Sequence, residues 1–186
     1  MTDSGKAGEL LAQVPKGSGR APVHLWNPDF CGDIDMRIAR DGTWYYLGTP
    51  IGRKPMVRLF SSILRRDGDD YFLVTPVEKV GIRVDDAPFV AVLLEVIGEG
   101  EQQVLRFTTQ VDEQIDAGPE HPIDITTDPL DGQPSPYVRV HGNLHALIHR
   151  NVFYQMVELA VPRLIDGQEW LGVWSSGVFY RMGVAG

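Results

Sequence analysis

Residues 51–64 read IGRKPMVRLFSSIL, and residues 148–161 read IHRNVFYQMVELAV. Counted from each isoleucine, the positions five, eight, nine and twelve residues on are all apolar. They are Met56, Leu59, Phe60 and Ile63 in the first stretch and Phe153, Met156, Val157 and Ala160 in the second. That spacing is the one-faced stripe of an amphipathic helix. Pro55 suits the opening turn of the first helix, and Pro162 forbids continuation of the second.

The surroundings of the two stretches correspond as well. Met36-Arg37-Ile38 answers Val138-Arg139-Val140, and Ile51-Gly52-Arg53 answers Ile148-His149-Arg150. Asp67-Gly68 lies three residues before Tyr71, as Asp166-Gly167 lies three before Trp170, and the first of these pairs is read as a helix stop. The repeat is far longer than the roughly 20 to 50 residues of solenoid units, so it indicates a domain duplication.

Strands surround each helix. In the first half the runs 35–39 and 44–47 flank Arg40-Asp41-Gly42-Thr43, and Asp-Gly between such runs signals a hairpin. Residues 71–75 and 80–84 are β-rich, so this half reads ββα then ββ. In the second half, 88–97 and 104–109 form a hairpin around residues 98–101, and 121–127 is an edge strand within a long Pro, Gly and Asp-rich connection. Strands at 137–140 and 144–148, a helix at 152–160, and strands at 170–174 and 178–182 complete it. The expected fold class is α+β, a duplicated β-rich core in which each half has antiparallel strands and one amphipathic helix. Residues 1–21, whose larger apolar groups are Leu10, Leu11 and Val14 and which hold the segment KGSGR, read as a flexible tail with one helical turn. Residues 22–86 form the N-terminal repeat domain and 87–186 the C-terminal one.

A net charge of −8 disfavours binding to a nucleic acid polymer, whose phosphates need a basic surface, while leaving a local basic pocket open. Cys31 is the single cysteine, so no intramolecular disulfide forms, which fits a reducing cytoplasm. The first residues lack the apolar core of a signal peptide, and no run reaches the roughly 18 apolar residues of a membrane span. A soluble cytoplasmic protein is expected.

Several chemical motifs fail on inspection. GTPIGRKP, residues 48–55, has three residues between its glycines, and Pro55 stands where a phosphate-binding loop needs Ser or Thr. What survives is a helix N-terminus preceded by Arg53 and Lys54, a setting that attracts anions; solvation or pairing with a carboxylate is the plainer reading of either side chain. His141, His145 and His149 repeat every fourth residue, but Gly142-Asn143 is poor helix material. On a strand, His145 and His149 stand roughly 13 Å apart, too far to share one zinc. No metal and no cofactor is expected. Cys31, near Asp29, Asp33 and Asp35, reads as a buried structural thiol. Nothing selects a catalytic acid–base pair or a nucleophile. Thr75-Pro76-Val77-Glu78-Lys79-Val80 reads either as a solvated hairpin loop or as the polar rim of a ligand cleft.

The combination of W-x-P at 26–28, D-G-x-W at 41–44, P-I-x-R at 50–53, L-V-T-P-V-E-K-V at 73–80 and D-A-P-F-V at 86–90 resembles a bacterial family, domain of unknown function 1285. The resemblance runs from Trp26 to the end of the second helix. It implies a duplicated core, a C-terminal half superficially like a pleckstrin-homology fold, and a site between the halves suited to a nucleotide-like molecule in signalling; it implies no activity. Joined to the repeat, it suggests that Arg53 and Arg150 face one cleft. The first functional reading is therefore a regulatory protein binding a small anionic, nucleotide-like ligand. Arg53, Arg150 and Lys79 would supply charge, Trp26, Tyr46 or Tyr154 a stacking face, and Thr75 and Glu78 hydrogen bonds. A protein-interaction module without a small ligand, with a partner protein in signalling, is the second reading, and an enzyme the third.

Overall fold

In a computed structural model the described residues are 4–16 and 20–186, and the chain divides into two compact units, Met1–Asp86 and Ala87–Gly186. The N-terminal unit opens with helix α1 (Ser4–Gln13) and a 3-10 turn (Val23–Leu25). There follow β1 (Phe30–Ile38), β2 (Trp44–Tyr46), β3 (Thr49–Pro50), α2 (Lys54–Ser62), β4 (Leu64–Asp67), β5 (Asp70–Val74) and β6 (Lys79–Val84). The six strands form one sheet in the order β3-β2-β1-β6-β5-β4. Its core is made by alternate residues of the central strands, Met36, Ile38, Val80 and Leu73, packed with Phe60 and Ile63 from the end of α2. The Trp44 indole stacks on Phe60 at 6.1 Å.

Residues 4–13 depart from the expected tail with a single helical turn. Ala7 and Leu10, one turn apart, are buried, Lys6 pairs with Glu78, and the Thr75 hydroxyl donates to Gln13 Oε1 at 2.7 Å. Two apolar positions were enough for docking because the sheet loop supplied the polar partners, which no local pattern reveals. The expectation of a flexible KGSGR falls on residues 17–19, outside the described residues.

The C-terminal unit holds β7 (Phe89–Ile97), β8 (Val104–Thr109), β9 (Gln114–Asp116), β10 (Ile123–Thr127), β11 (Pro134–His141), β12 (Leu144–Ile148), α3 (Arg150–Glu158), β13 (Val161–Ile165), β14 (Gln168–Ser175) and β15 (Val178–Val184). A six-stranded sheet runs β10-β11-β12-β7-β8-β9, and β13-β14-β15 forms a separate three-stranded meander. Phe89, Leu105, Phe107, Val138, Ala146, Val152, Met156 and Val173 are buried.

The two units are similar β-rich halves. The order β1, β2, α2, β4, β5, β6 recurs as β11, β12, α3, β13, β14, β15. Most strand pairs are antiparallel as expected, but each unit also contains a parallel pair, β1 with β6 and β12 with β7. The strands after each helix behave differently in the two halves: β6 rejoins β1, whereas β15 stays in its own meander and β11, the counterpart of β1, is flanked by β10 and β12.

The expected helix stop at Asp67-Gly68 is instead a hairpin turn. Helix α2 ends at Ser62, β4 takes residues 64–67, and Asp67 pairs with Asp70 across a two-residue turn in which Gly68 has φ +63°. Likewise Asp166-Gly167, with φ of +49° and +80°, joins β13 to β14 as a primed two-residue turn. Asp-Gly therefore marked a hairpin in every case, and the strand before it was hidden by the apolar tail of the helix.

Candidate functional site

Strand β6 alternates Lys79, Gly81 and Arg83 on one face with Val80 and Ile82 on the other, and the second set is buried in the core. The first set faces a groove of about 1040 Å³ lined also by Phe30, Asp33, Asp35, Asp70 and Phe72. At its centre Gly81 lies between Asp33 of β1 and Phe72 of β5. A β-carbon on Gly81 would stand 2.0 Å from Asp33 Oδ1, so the missing side chain is what lets the carboxylate lie over the strand. Gly32, at φ +97°, sits in the register shift of β1 between Phe30 and Asp33, which places both side chains beside the groove.

An aromatic wall adjoins this notch. The Phe30 and Phe72 rings meet edge to face at 5.8 Å, and Lys79 Nζ lies 4.2 Å from the Phe72 centroid. Lys79 also binds Asp67 Oδ2 at 2.9 Å, and the Arg65 guanidinium grips both oxygens of Asp67 at 3.0 and 2.9 Å. Arg65 further donates to the Val23 and Trp26 carbonyls at 2.9 and 2.6 Å, tying the 3-10 turn to β4. On the far side Arg83 pairs with Asp35 at 2.9 Å. Asp33 and Asp70 have no ion-pair partner among the described residues.

Burial alone would raise the Asp67 carboxyl, but the hydrogen bonds from Arg65 and Lys79, with their charges, outweigh it and hold the group below the usual Asp range. A carboxyl lowered by folding contributes stability above its unfolded pKa and loses it as pH falls through the folded value. We therefore expect the urea midpoint of the protein to drop below about pH 4 and the drop to be shallower in Asp67→Asn. Asp116, lowered by its hydrogen bond from Arg106, contributes a slope of the same sign in the C-terminal unit, and Asp116→Asn removes that part separately. Titration of the midpoint between pH 3 and 7 checks both; equal slopes in wild type and Asp67→Asn would refute the first.

Residues 21–87 match the description "Domain of unknown function (DUF1285), N-terminal domain", and residues 88–182 match "Protein of unknown function (DUF1285), C-terminal domain". The chain belongs to the DUF1285 family. Two solved DUF1285 structures are similar to it. The one from Silicibacter pomeroyi DSS-3 is 58% identical over 94% of each chain, with a TM-score of 0.85. The one from Shewanella baltica OS155 is 30% identical over 66% of this chain and 90% of its own, with a TM-score of 0.52. No curated protein matches.

Of the residues expected to form a site in this DUF1285 chain, Lys79 alone lines the groove. Its neighbours Thr75 and Glu78 come together, the Glu78 N–H donating to Thr75 Oγ1 at 3.0 Å, but their side chains serve the docking of α1. Trp26 is half-buried and contributes its carbonyl to Arg65, and Tyr46 pairs in β2 with Met36. Arg53 is the exposed residue before α2, while Arg150 is exposed as the first residue of α3 and Tyr154 is exposed one turn later. His149 caps α3, its Nδ1 accepting from the Asn151 N–H at 3.2 Å, and His141 pairs with Glu113. Among the described residues no group of histidine, cysteine and carboxylate side chains is placed to hold a metal. Cys31 is exposed, contrary to the expected buried thiol, and its thiol donates to the Asp29 carbonyl at 3.3 Å. No described helix is long and apolar enough to cross a membrane.

The groove residues Phe30, Asp33, Phe72, Gly81 and Arg83 were missed. Gly81 carried a signal, since a glycine inside the run KVGIRV marks a close approach or a bulge. The partner that approaches it sits on a strand far away in sequence, and only the parallel pairing of β1 with β6 brings it there.

Proposed function

We propose that this chain is a ligand-binding regulatory protein whose N-terminal unit takes a nucleotide-like small molecule in the groove over Gly81. The observation that carries the reading is the cross-strand set Asp33, Gly81 and Phe72 beside Phe30: a notch in the sheet with an acceptor on one side and an aromatic wall on the other. A flat heterocycle stacks on the wall, and Asp33 and Asp70 accept from hydroxyl or amino groups. Lys79 and Arg83 meet the charge. Three lining carboxylates, Asp33, Asp35 and Asp70, stand against those two cations, so the groove favours a nucleoside or a monophosphate over a triphosphate. Binding without turnover is the reading; the pairs Lys79 with Asp67 and Arg83 with Asp35 fix where the two cations are presented to a ligand. A bacterial cytoplasmic sensor that changes its partners on loading is the role this implies.

The test is a thermal-shift and calorimetric screen with adenosine, guanosine, their mono- and triphosphates, and signalling dinucleotides. A ligand at 100 times its dissociation constant stabilises the fold by about 2.7 kcal/mol. Phe72→Ala, Asp33→Asn and Gly81→Val, which displaces the Asp33 carboxylate from the strand, should each weaken binding at least tenfold while the protein stays folded. The proposal is wrong if no nucleoside or nucleotide shifts the wild type, or if the three variants respond like it.

A further inference from the structure

The meander β13-β14-β15 presents a face that the groove reading does not use. Trp174 and Phe179 are paired across β14 and β15, with ring centroids 5.3 Å apart. The Arg163 guanidinium from β13 lies 4.8 Å from the Trp174 ring and 5.5 Å from Phe179, and the Arg181 guanidinium from β15 lies 5.0 Å from the Trp170 ring. Gly172 stands between the two tryptophans on the same strand. A β-carbon there would meet Phe179 Cζ at 2.5 Å, so the phenyl ring rests directly on the strand. The result is a platform of three aromatic rings with a guanidinium over each end.

Guanidiniums held by rings and by no carboxylate set this platform apart. Arg37, Arg40, Arg65, Arg66, Arg83 and Arg106 each pair with a carboxylate. Arg163 and Arg181, like Arg53, Arg139 and Arg150, have no carboxylate partner among the described residues, but of these five they are the two that lie over aromatic rings, in a chain where 25 acidic residues outnumber 17 basic ones. Both are exposed. Two cations held only by ring faces, on an otherwise acidic protein, lack the anions they would neutralise.

We propose that the outer face of the β13-β14-β15 sheet docks an extended acidic segment of a partner protein. Trp170 and Trp174 are four residues apart on one strand, roughly 13 Å, so the segment carries carboxylates at positions i and i+4. An apolar or aromatic side chain at i+2 sits between them, over Gly172 and Phe179. A nucleic acid is the weaker occupant: two guanidiniums neutralise only two phosphates, and the net charge of −8 repels the rest of a polymer. A sheet face is a platform, not the concavity that encloses a small ligand. The site lies in the C-terminal unit and stands or falls independently of the groove in the other.

The test uses the whole chain, nitrogen-15 labelled, titrated with a peptide containing Glu-Val-Phe-Val-Glu, with the Trp170 and Trp174 indole signals assigned by Trp→Phe exchange. Saturable movement of these two indoles is expected, with Trp44 unmoved. Arg163→Glu and Arg181→Glu should each weaken binding at least tenfold with an unchanged melting temperature. The double variant should prefer Lys-Val-Phe-Val-Lys. The proposal is overturned if the indoles do not respond to millimolar acidic peptide, if the charge reversals leave binding unchanged, or if a ten-nucleotide oligouridylate moves the same indoles and the peptide does not.

Discussion

Gly172→Ala is expected to destabilise the C-terminal unit by about 3 kcal/mol, at the upper end of overpacking costs. The new β-carbon would lie 2.4 Å from the Tyr180 carbonyl oxygen and 2.5 and 2.8 Å from Phe179 ring carbons. A ring can turn aside, but Tyr180 belongs to the adjacent strand, and its carbonyl moves only if β14 and β15 separate. The ladder is irregular at this point, where Met182 is an extra residue of β15 between the partners of Leu171 and Gly172. For a chain of this size the loss corresponds to a fall in melting temperature of roughly 6 to 12 °C. Gly183→Ala is the control, because nothing lies within 4 Å of its β-carbon position on the same sheet. A Gly172→Ala melt within 1 °C of wild type would show that the close approach does not exist in solution.

Trp44→Ala should cost about 3 to 5 kcal/mol, the usual range for emptying a buried aromatic site. Trp44 is 1% exposed, and its ring lies nearly parallel to Phe60, with an interplanar angle of 14°, so one substitution opens a cavity and removes the ring stack between α2 and the sheet. Its indole N–H finds no acceptor among the described residues. Trp44→Phe therefore discards an unsatisfied donor together with some volume, and its cost should stay below about 1.5 kcal/mol. Urea unfolding monitored by circular dichroism separates the two variants. If Trp44→Phe proves as damaging as Trp44→Ala, the nitrogen has an acceptor in solution and volume is not the deciding term.

The fold was legible where its signals are local. The Asp41-Gly42 hairpin, both amphipathic helices and the correspondence of the halves follow from patterns within a dozen residues, and all are present. What escaped depends on partners remote in sequence. Strands β4 and β13 are short, follow a helix directly and share its apolar residues, so helical periodicity masked them. The seat of α1 rests on Glu78 and Thr75, which from the sequence alone looked like loop or ligand residues. Lys79 was expected at a cleft rim because it belongs to a polar interruption between β-rich runs; the direction it faces follows from alternation on β6, which sets it with Gly81 and Arg83. Asp33 and Phe72 became neighbours only through the ladders on either side of Gly81.

In the N-terminal unit, the first long strand and the last strand are adjacent at the middle of the sheet, Phe30 beside Lys79 and Ile38 beside Val84. A ribosome releasing this chain has therefore exposed β1, β2 and α2 well before the strand that joins β1 to β5 is available. Until Val84 emerges, β1 and β5 each carry an unpaired edge, the state in which chains most readily pair with one another. The β1–β6 ladder joins residues 46 to 49 apart in sequence, so the unit is expected to fold late in synthesis and slowly. A truncation ending before β6 yields two half-sheets with sticky margins in place of a smaller domain.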